Sequence, residues 1–175
     1  MNVICAIAKN EDRYLNEWTD YHLNLGFDHI YIIDDNSKPT ILDLKSVKDN
    51  PKVSVIHLEG QNKQFKQLRC YEEFYKKYTF DWCAFIDIDE FIVVECGNIK
   101  EYLNNYWVKY ADQILLSWKM FKDTSLKYFN GPVMERFTVP SSKYNCKEDV
   151  LVKCLLRKTG DITFYNPHMA MIKGS

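Results

Sequence analysis

The chain contains no Gly-x-Gly-x-x-Gly and no Gly-x-x-x-x-Gly-Lys-Ser/Thr stretch. It therefore lacks the two glycine-rich turns whose backbone cradles phosphates, which argues against a dinucleotide oxidoreductase and a P-loop kinase. None of its six cysteines stands in a Cys-x-x-Cys pair, which argues against a structural zinc site. Cys5 and Cys83 lie in apolar segments and read as small buried hydrophobes, and the set as a whole as thiols of a reduced, cytoplasmic protein. The net charge is only −1, so no basic field draws nucleic acid or an anionic membrane, and no nucleic-acid partner is expected. No stretch approaches the length of a membrane span. Val3 to Ala8 is too short for a targeting core, and Lys9, Asn10, Glu11 and Asp12 follow at once. Peripheral membrane association and the oligomeric state are left open. There is no internal repeat, linker or low-complexity tract.

What is present is ordinary globular composition, 46% apolar and 27% charged over 175 residues, the size of one domain with a real core. Aromatics reach 15%, which suits either a stacking surface or a Tyr-rich core and rim.

Periodicity predicts a first strand over Asn2–Ala8 and a helix capped by Asn10, with Tyr14, Trp18, Tyr21, His22 and Leu25 as its buried face. Gly26 is placed to end that helix in a left-handed conformation. A second strand is expected over His29–Ile33, a short helix over Ile41–Val47, and a third strand over Lys52–Leu58. A helix follows over Gln61–Tyr78, then strands over Trp82–Ile86 and Phe91–Glu95, a helix from Asn98 to Tyr110, and a strand over Gln113–Phe121. Beyond Lys122 the pattern degrades into short strands and loops. Alternating strands and helices predict an α/β fold with a mostly parallel central sheet flanked by helices.

In such sheets ligands bind beyond the carboxyl ends of the strands. Three polar clusters fall there: Lys9-Asn10-Glu11, Asp34-Asp35-Asn36-Ser37 and Asp87-Ile88-Asp89-Glu90. The last is the most informative. Chance supplies roughly three acid-x-acid triplets in a chain of this acidity, so the motif needs context. Here Asp87-Ile88-Asp89 is the one such triplet, and it closes the most convincing buried strand. Two Asp separated by one residue point to the same side of an extended chain and can grip one hard divalent ion, which can also hold a diphosphate. A solvated strand-to-turn junction is the plainer alternative.

Several blocks resemble family-2-like and family-92-like glycosyltransferases. They are Lys9-Asn10-Glu11, Trp18-x-x-Tyr21-His22-x-x-Leu25-Gly26, Ile30 to Ser37, Gln67 with Tyr71, Asp81-Trp82 and Phe85-Ile86-Asp87-Ile88-Asp89-Glu90-Phe91. Trp118-Lys119-Met120-Phe121 and Glu135-Arg136-Phe137 resemble later, looser blocks, though Lys122 stands where the pattern usually continues with glycine.

The resemblance implies a GT-A fold and a metal-dependent, inverting transfer of a sugar from a nucleotide-sugar, a UDP-sugar above all, to a glycan or lipid-linked saccharide. It implies a single domain over residues 1–175, with a nucleotide-sugar-binding half over 1–95 and a short acceptor-side half over 96–175. It places Ala8, Asn10, Glu11, Asp35, Gln67, Asp87 and Ile88 around the donor. Asp87, Asp89 and His168 would hold Mn²⁺ or Mg²⁺. By analogy with the family, the pathway would be surface polysaccharide or lipopolysaccharide assembly, at the inner face of a membrane.

An inverting enzyme needs a carboxylate to deprotonate the acceptor hydroxyl. Asp123 is the first choice, with Glu135 and Glu148 as rivals. Trp118 is placed to stack on an acceptor sugar, or else packs in the core. Lys66, Arg69 and Lys153 are candidates to meet the leaving phosphate, each also readable as a surface charge. Two other readings stand beside this one: a sugar nucleotidyltransferase, and a non-catalytic nucleotide-sugar- or glycan-binding domain.

Overall fold

A computed structural model describes residues 1–58, 66–122, 131–141 and 151–172. The core element is a six-stranded sheet. Its strands are β1 (Asn2–Ala8), β2 (His29–Asp34), β3 (Val53–His57), β4 (Trp82–Phe85), β5 (Gln113–Ser117) and β8 (Val152–Arg157), in the order β3-β2-β1-β4-β8-β5. β1 pairs in parallel with both β2 and β4, and β2 with β3; β8 runs antiparallel to both β4 and β5. The mostly parallel sheet expected from the alternating pattern is therefore present, with one strand reversed.

Alternation along β1 sends Ile4, Ala6 and Ala8 to one face and Val3 and Cys5 to the other. The first face packs on α1 (Asp12–Leu25) through Leu15 and Trp18, and on α3 (Ile99–Leu103) through Ile99 and Leu103. The second packs on α2 (Lys66–Lys77) through Cys70, Tyr71, Phe74 and Tyr75. Over that face also lies a hairpin of β9 (Ile162–Asn166) and β10 (Met169–Ile172). A two-stranded ribbon of β6 (Phe121–Lys122) and β7 (Val139–Pro140), with the short α4 (Val133–Arg136), lies outside the sheet.

Several boundaries differ from the sequence expectation, each for a local reason. Asn10 is not the cap of α1. It sits at φ 60, its side chain accepts from Lys38 N at 2.8 Å, and Glu11 takes the capping position without a side-chain bond. The expected strand Phe91–Glu95 does not form, because its backbone is taken by α1: Ile92 N donates to His22 Nε2 and Ile92 O accepts from Tyr21 OH. The helix from Asn98 stops at Leu103 and gives way to turns, where Asn105 Oδ1 accepts from Trp107 N at 3.0 Å and offers the chain a local alternative to the helix. Ile41–Val47 is a single 3₁₀ turn over Ile41–Asp43 followed by turns. The strand expected to reach Phe121 leaves the sheet after Ser117. Residues 61–65 of the expected second helix lie outside the described residues.

Gly26 ends α1 at φ 108, with its N–H on the carbonyls of His22 and Leu23. A methyl group there would meet Asn98 and Ile99 at 3.5 Å, ordinary contact, so the left-handed backbone alone carries the cost. Gly26→Ala should destabilise the fold by about 1 kcal/mol, a fall in Tm of about 2–4 °C. An unchanged melting curve would show that this cap does not constrain the chain.

Candidate active site

The parallel register aligns the carboxyl ends of the strands: Ala8 of β1 lies beside Asp34 of β2, and Asp34 beside His57 of β3. β4 stops at Phe85 and the chain enters the acidic turn 87–90 at that edge. Because β8 runs the other way, its beginning reaches the same edge: Cys154 pairs with Phe85, which puts Lys153 next to the turn. β5 ends there too, Ser117 opposite Val152, and hands the chain to Trp118.

The turn differs from an extended Asp-x-Asp. Glu90 N donates to Asp87 O at 3.2 Å, Glu90 Oε2 accepts from Asp87 N at 2.9 Å, and Ile88 is buried in the core at 2% exposure. Ile88 thus acts as an anchor, with its backbone at the site and its side chain in the interior. Asp89 is exposed beside it. Asp87 has both oxygens engaged: Oδ1 accepts from Gln67 Nε2 at 3.1 Å and Oδ2 from Lys153 Nζ at 2.5 Å. Lys153 also lies 3.6 Å from Glu90 Oε1. Burial pushes Glu90 up to about 7, with the charges of Asp87 and Asp89 adding to the rise and Lys153 and the Asp87 N–H opposing it. Burial, then the charges of Asp89, Asp12 and Asp87, raise Glu11 as well, so the carboxylates of Glu11, Asp12, Asp87, Asp89 and Glu90 share one field.

Two aromatic rings border the turn. Lys153 Nζ sits 5.7 Å from the Trp118 ring centroid, and the His168 ring meets Trp118 edge-on at 5.6 Å. His168 is set in the β9–β10 turn by Asn166, whose Oδ1 accepts from the N–H groups of His168 and Met169. Burial, then the charge of Lys153, lowers its pKa, which favours the uncharged ring. Its Nδ1 and the Trp118 Nε1 are buried without a hydrogen-bond partner.

The rest of this edge is built from the β1 and β2 ends. Asn10 N donates to Ser37 Oγ at 3.0 Å, and Asp35 N to Ala8 O at 2.8 Å. Asp35 is tied by Lys66 and lies 3.7 Å from Lys9; the bond from Lys66 holds its carboxyl below the usual range. Lys66 is thus a partner of Asp35, and Arg69 is exposed. Glu135 is exposed on α4, while Asp123 and Glu148 lie outside the described residues. Lys153, readable in sequence as a surface charge, is 2% exposed. A lone lysine inside the apolar run from Leu151 to Leu156 was the signal that it needs an acidic partner.

Helix α1 holds the turn from below. Trp18 Nε1 donates to Glu90 O at 2.8 Å. His22 Nε2 accepts from Ile92 N, so its Nδ1 carries the proton and donates to Trp18 O at 2.9 Å. That pairing requires neutral imidazole, and burial lowers the His22 pKa from 6.5 to about 4. Since the unfolded chain takes up this proton more readily, the His22 contribution is complete above about pH 6.5 and is lost as pH falls toward 4, about 3 kcal/mol in all. Urea unfolding of wild type and His22→Gln should show a gap that closes over this window. A gap independent of pH would refute the neutral-imidazole assignment.

Among the described residues, no three His, Cys, Asp or Glu side chains enclose a metal ion by themselves. The oxygen donors of Asp87 and Asp89 and the orphaned Nδ1 of His168 are of the chemical type that an open divalent-metal site would use, with its remaining ligands taken from solvent or a phosphate. Five cysteines, Cys5, Cys70, Cys83, Cys96 and Cys154, are unpaired. No helix among the described residues is long and apolar enough to cross a membrane.

The fold is that of an α/β protein with an acidic, partly buried cluster of side chains at the carboxyl edge of its mostly parallel sheet. The sequence profile of glycosyltransferase family 92 matches residues 4–159, and the chain belongs to that family. It is 31% identical over 115 residues to a glycosyltransferase family 92 protein of Oryza sativa subsp. japonica, covering 61% of this chain and 18% of that protein. A glycosyltransferase family 92 protein of Ricinus communis is 27% identical over 110 residues, covering 58% of this chain and 19% of that protein. The chain thus matches less than one fifth of the length of these relatives.

Proposed function

We propose that this chain is the donor-binding core of a metal-dependent glycosyltransferase of GT-A architecture. In this reading it transfers a sugar from a nucleotide-sugar, a UDP-sugar first, to a saccharide or lipid-linked acceptor, with inversion. The observation that carries the reading is the acidic turn 87–90 at the edge where β1, β4, β5 and β8 converge, in a chain of family 92. The strand order, with its one reversed strand, supports the architecture.

The backbone at Ala8 and the side chains of Asn10, Glu11 and Asp35 would border base and ribose, and Gln67 orients Asp87. Asp89, Asp87 and His168 would hold Mn²⁺ or Mg²⁺, which would supply Lewis-acid stabilisation of a departing diphosphate. The neutral ring of His168 keeps its Nδ1 lone pair available, and Trp118 lies on the acceptor side of the turn. Asp123 is assigned as the base that takes the acceptor hydroxyl proton. Asp123→Asn should leave UDP binding unchanged and slow transfer by about 100-fold or more; transfer at the wild-type rate would remove that assignment. Cytoplasmic assembly of a surface polysaccharide or lipopolysaccharide would suit such an enzyme.

Calorimetric titration with UDP, GDP and CMP, with and without Mn²⁺, tests the reading. Mn²⁺-dependent binding of one nucleotide is expected. No binding of any nucleotide by folded protein overturns it.

A further inference from the structure

We propose that Lys153 is a built-in cation of the acidic turn that makes binding of a divalent metal at Asp87 conditional on a bound diphosphate. The inference rests on the metal-dependent reading above and adds an order of binding to it.

Lys153 is placed by the backbone rather than by a flexible reach. It lies on β8, whose register with β4 is fixed on both sides of the sheet, and its side chain is 3% exposed. Its ammonium lies 2.5 Å from Asp87 Oδ2 and 3.6 Å from Glu90 Oε1, over the Trp118 ring. A charge so enclosed is stable only while these carboxylates compensate it. With Gln67 on Oδ1, Asp87 has no uncommitted oxygen.

A divalent ion approaching this carboxylate alone must share it with a cation that cannot retreat into water. The two positive charges then repel at a separation of a few ångström, on the side where the Lys153 side chain is enclosed. Asp89, exposed on the other side of Ile88, is left to hold the ion almost unaided. A nucleoside diphosphate changes the balance. Its phosphate oxygens supply further metal ligands and also face Lys153, so the ammonium gains a second anion as it shares Asp87. The unpartnered Nδ1 of His168 and Nε1 of Trp118 beside Lys153 leave polar capacity at the same place. Metal and nucleotide therefore bind with positive coupling, and Lys153 is a positioning residue that sets its size.

The test is calorimetric titration of Mn²⁺ alone, of UDP alone, and of Mn²⁺ with saturating UDP, on wild type, Lys153→Met and Lys153→Arg, with circular dichroism to confirm folding. Wild type should bind Mn²⁺ alone weakly and at least about tenfold more tightly with UDP. Lys153→Met should bind Mn²⁺ alone about tenfold more tightly than wild type while the coupling to UDP shrinks toward none. Lys153→Arg, which restores the charge, should return Mn²⁺-alone binding to the weak range. Lys153→Gln carries the same expectation as Met and serves if Met does not fold. Mn²⁺-with-UDP binding in wild type, together with unchanged or weaker Mn²⁺-alone binding in the neutral variants, overturns this inference and leaves the metal reading standing. Absence of Mn²⁺ binding in every protein, with UDP or without, overturns both.

Discussion

Asp89→Ala is expected to weaken Mn²⁺-dependent UDP binding by about 100-fold or more, beyond the range typical of residues that only support a metal ligand. The same change should leave the fold intact. Asp89 is exposed, and its charge helps raise both Glu11 and Glu90, so removing it relieves repulsion among neighbouring carboxylates. Stability should shift by no more than about 0.5 kcal/mol, in the stabilising direction if at all. Loss of binding with an unchanged or slightly higher Tm is thus the joint result expected of a ligand residue. Mn²⁺-dependent UDP binding that survives the substitution would take Asp89 out of the site.

Trp18→Ala should have the largest effect on stability. Trp18 is fully buried between α1 and the sheet, and truncating such a side chain costs about 3–5 kcal/mol through lost burial and the cavity left behind. That is a large share of the 5–15 kcal/mol typical of a domain. Trp18 also carries the acidic turn, through its bond to Glu90 O. Trp18→Phe keeps most of the ring but leaves that buried carbonyl unpaired, at about 1–3 kcal/mol. It should also loosen nucleotide binding several-fold, although residue 18 touches no ligand in the proposed site. Urea unfolding gives the first quantity and calorimetry the second. A cost below about 1 kcal/mol for Trp18→Ala would show that the turn and core do not depend on this contact.

The sheet was legible in sequence wherever local pattern and tertiary context agree. β1, β2 and β4 are short apolar runs closed by polar clusters, and their carboxyl ends stand side by side as that pattern implies. For the expected strand Phe91–Glu95, distant residues had taken over the backbone. Nothing in Phe91-Ile92-Val93-Val94-Glu95 itself says that Tyr21 and His22 will satisfy Ile92 in place of a neighbouring strand. The bend of Asp87 to Glu90 away from an extended course was equally hidden, because it depends on Ile88 finding room in the core. The apolar run around Lys153 marks it as a lysine in need of a partner but does not say which carboxylate it meets. Its importance comes from the reversed direction of β8, which no local window of sequence reveals.

That reversed strand also governs how the chain can assemble. Among the described residues β5 has one neighbour in the sheet, β8, although it leaves the ribosome some 35 residues earlier. Until β8 arrives, β4 presents an open edge and β5 has nothing to pair with, so a nascent chain carries two unprotected strands. Insertion of β8 between them covers the edge of β4, pairs one side of β5 and delivers Lys153 to Asp87 in a single event. Quality control on the newly made protein and completion of its ligand site thus depend on the same late step, and sequence changes in β8 should lower the yield of soluble protein as readily as its activity.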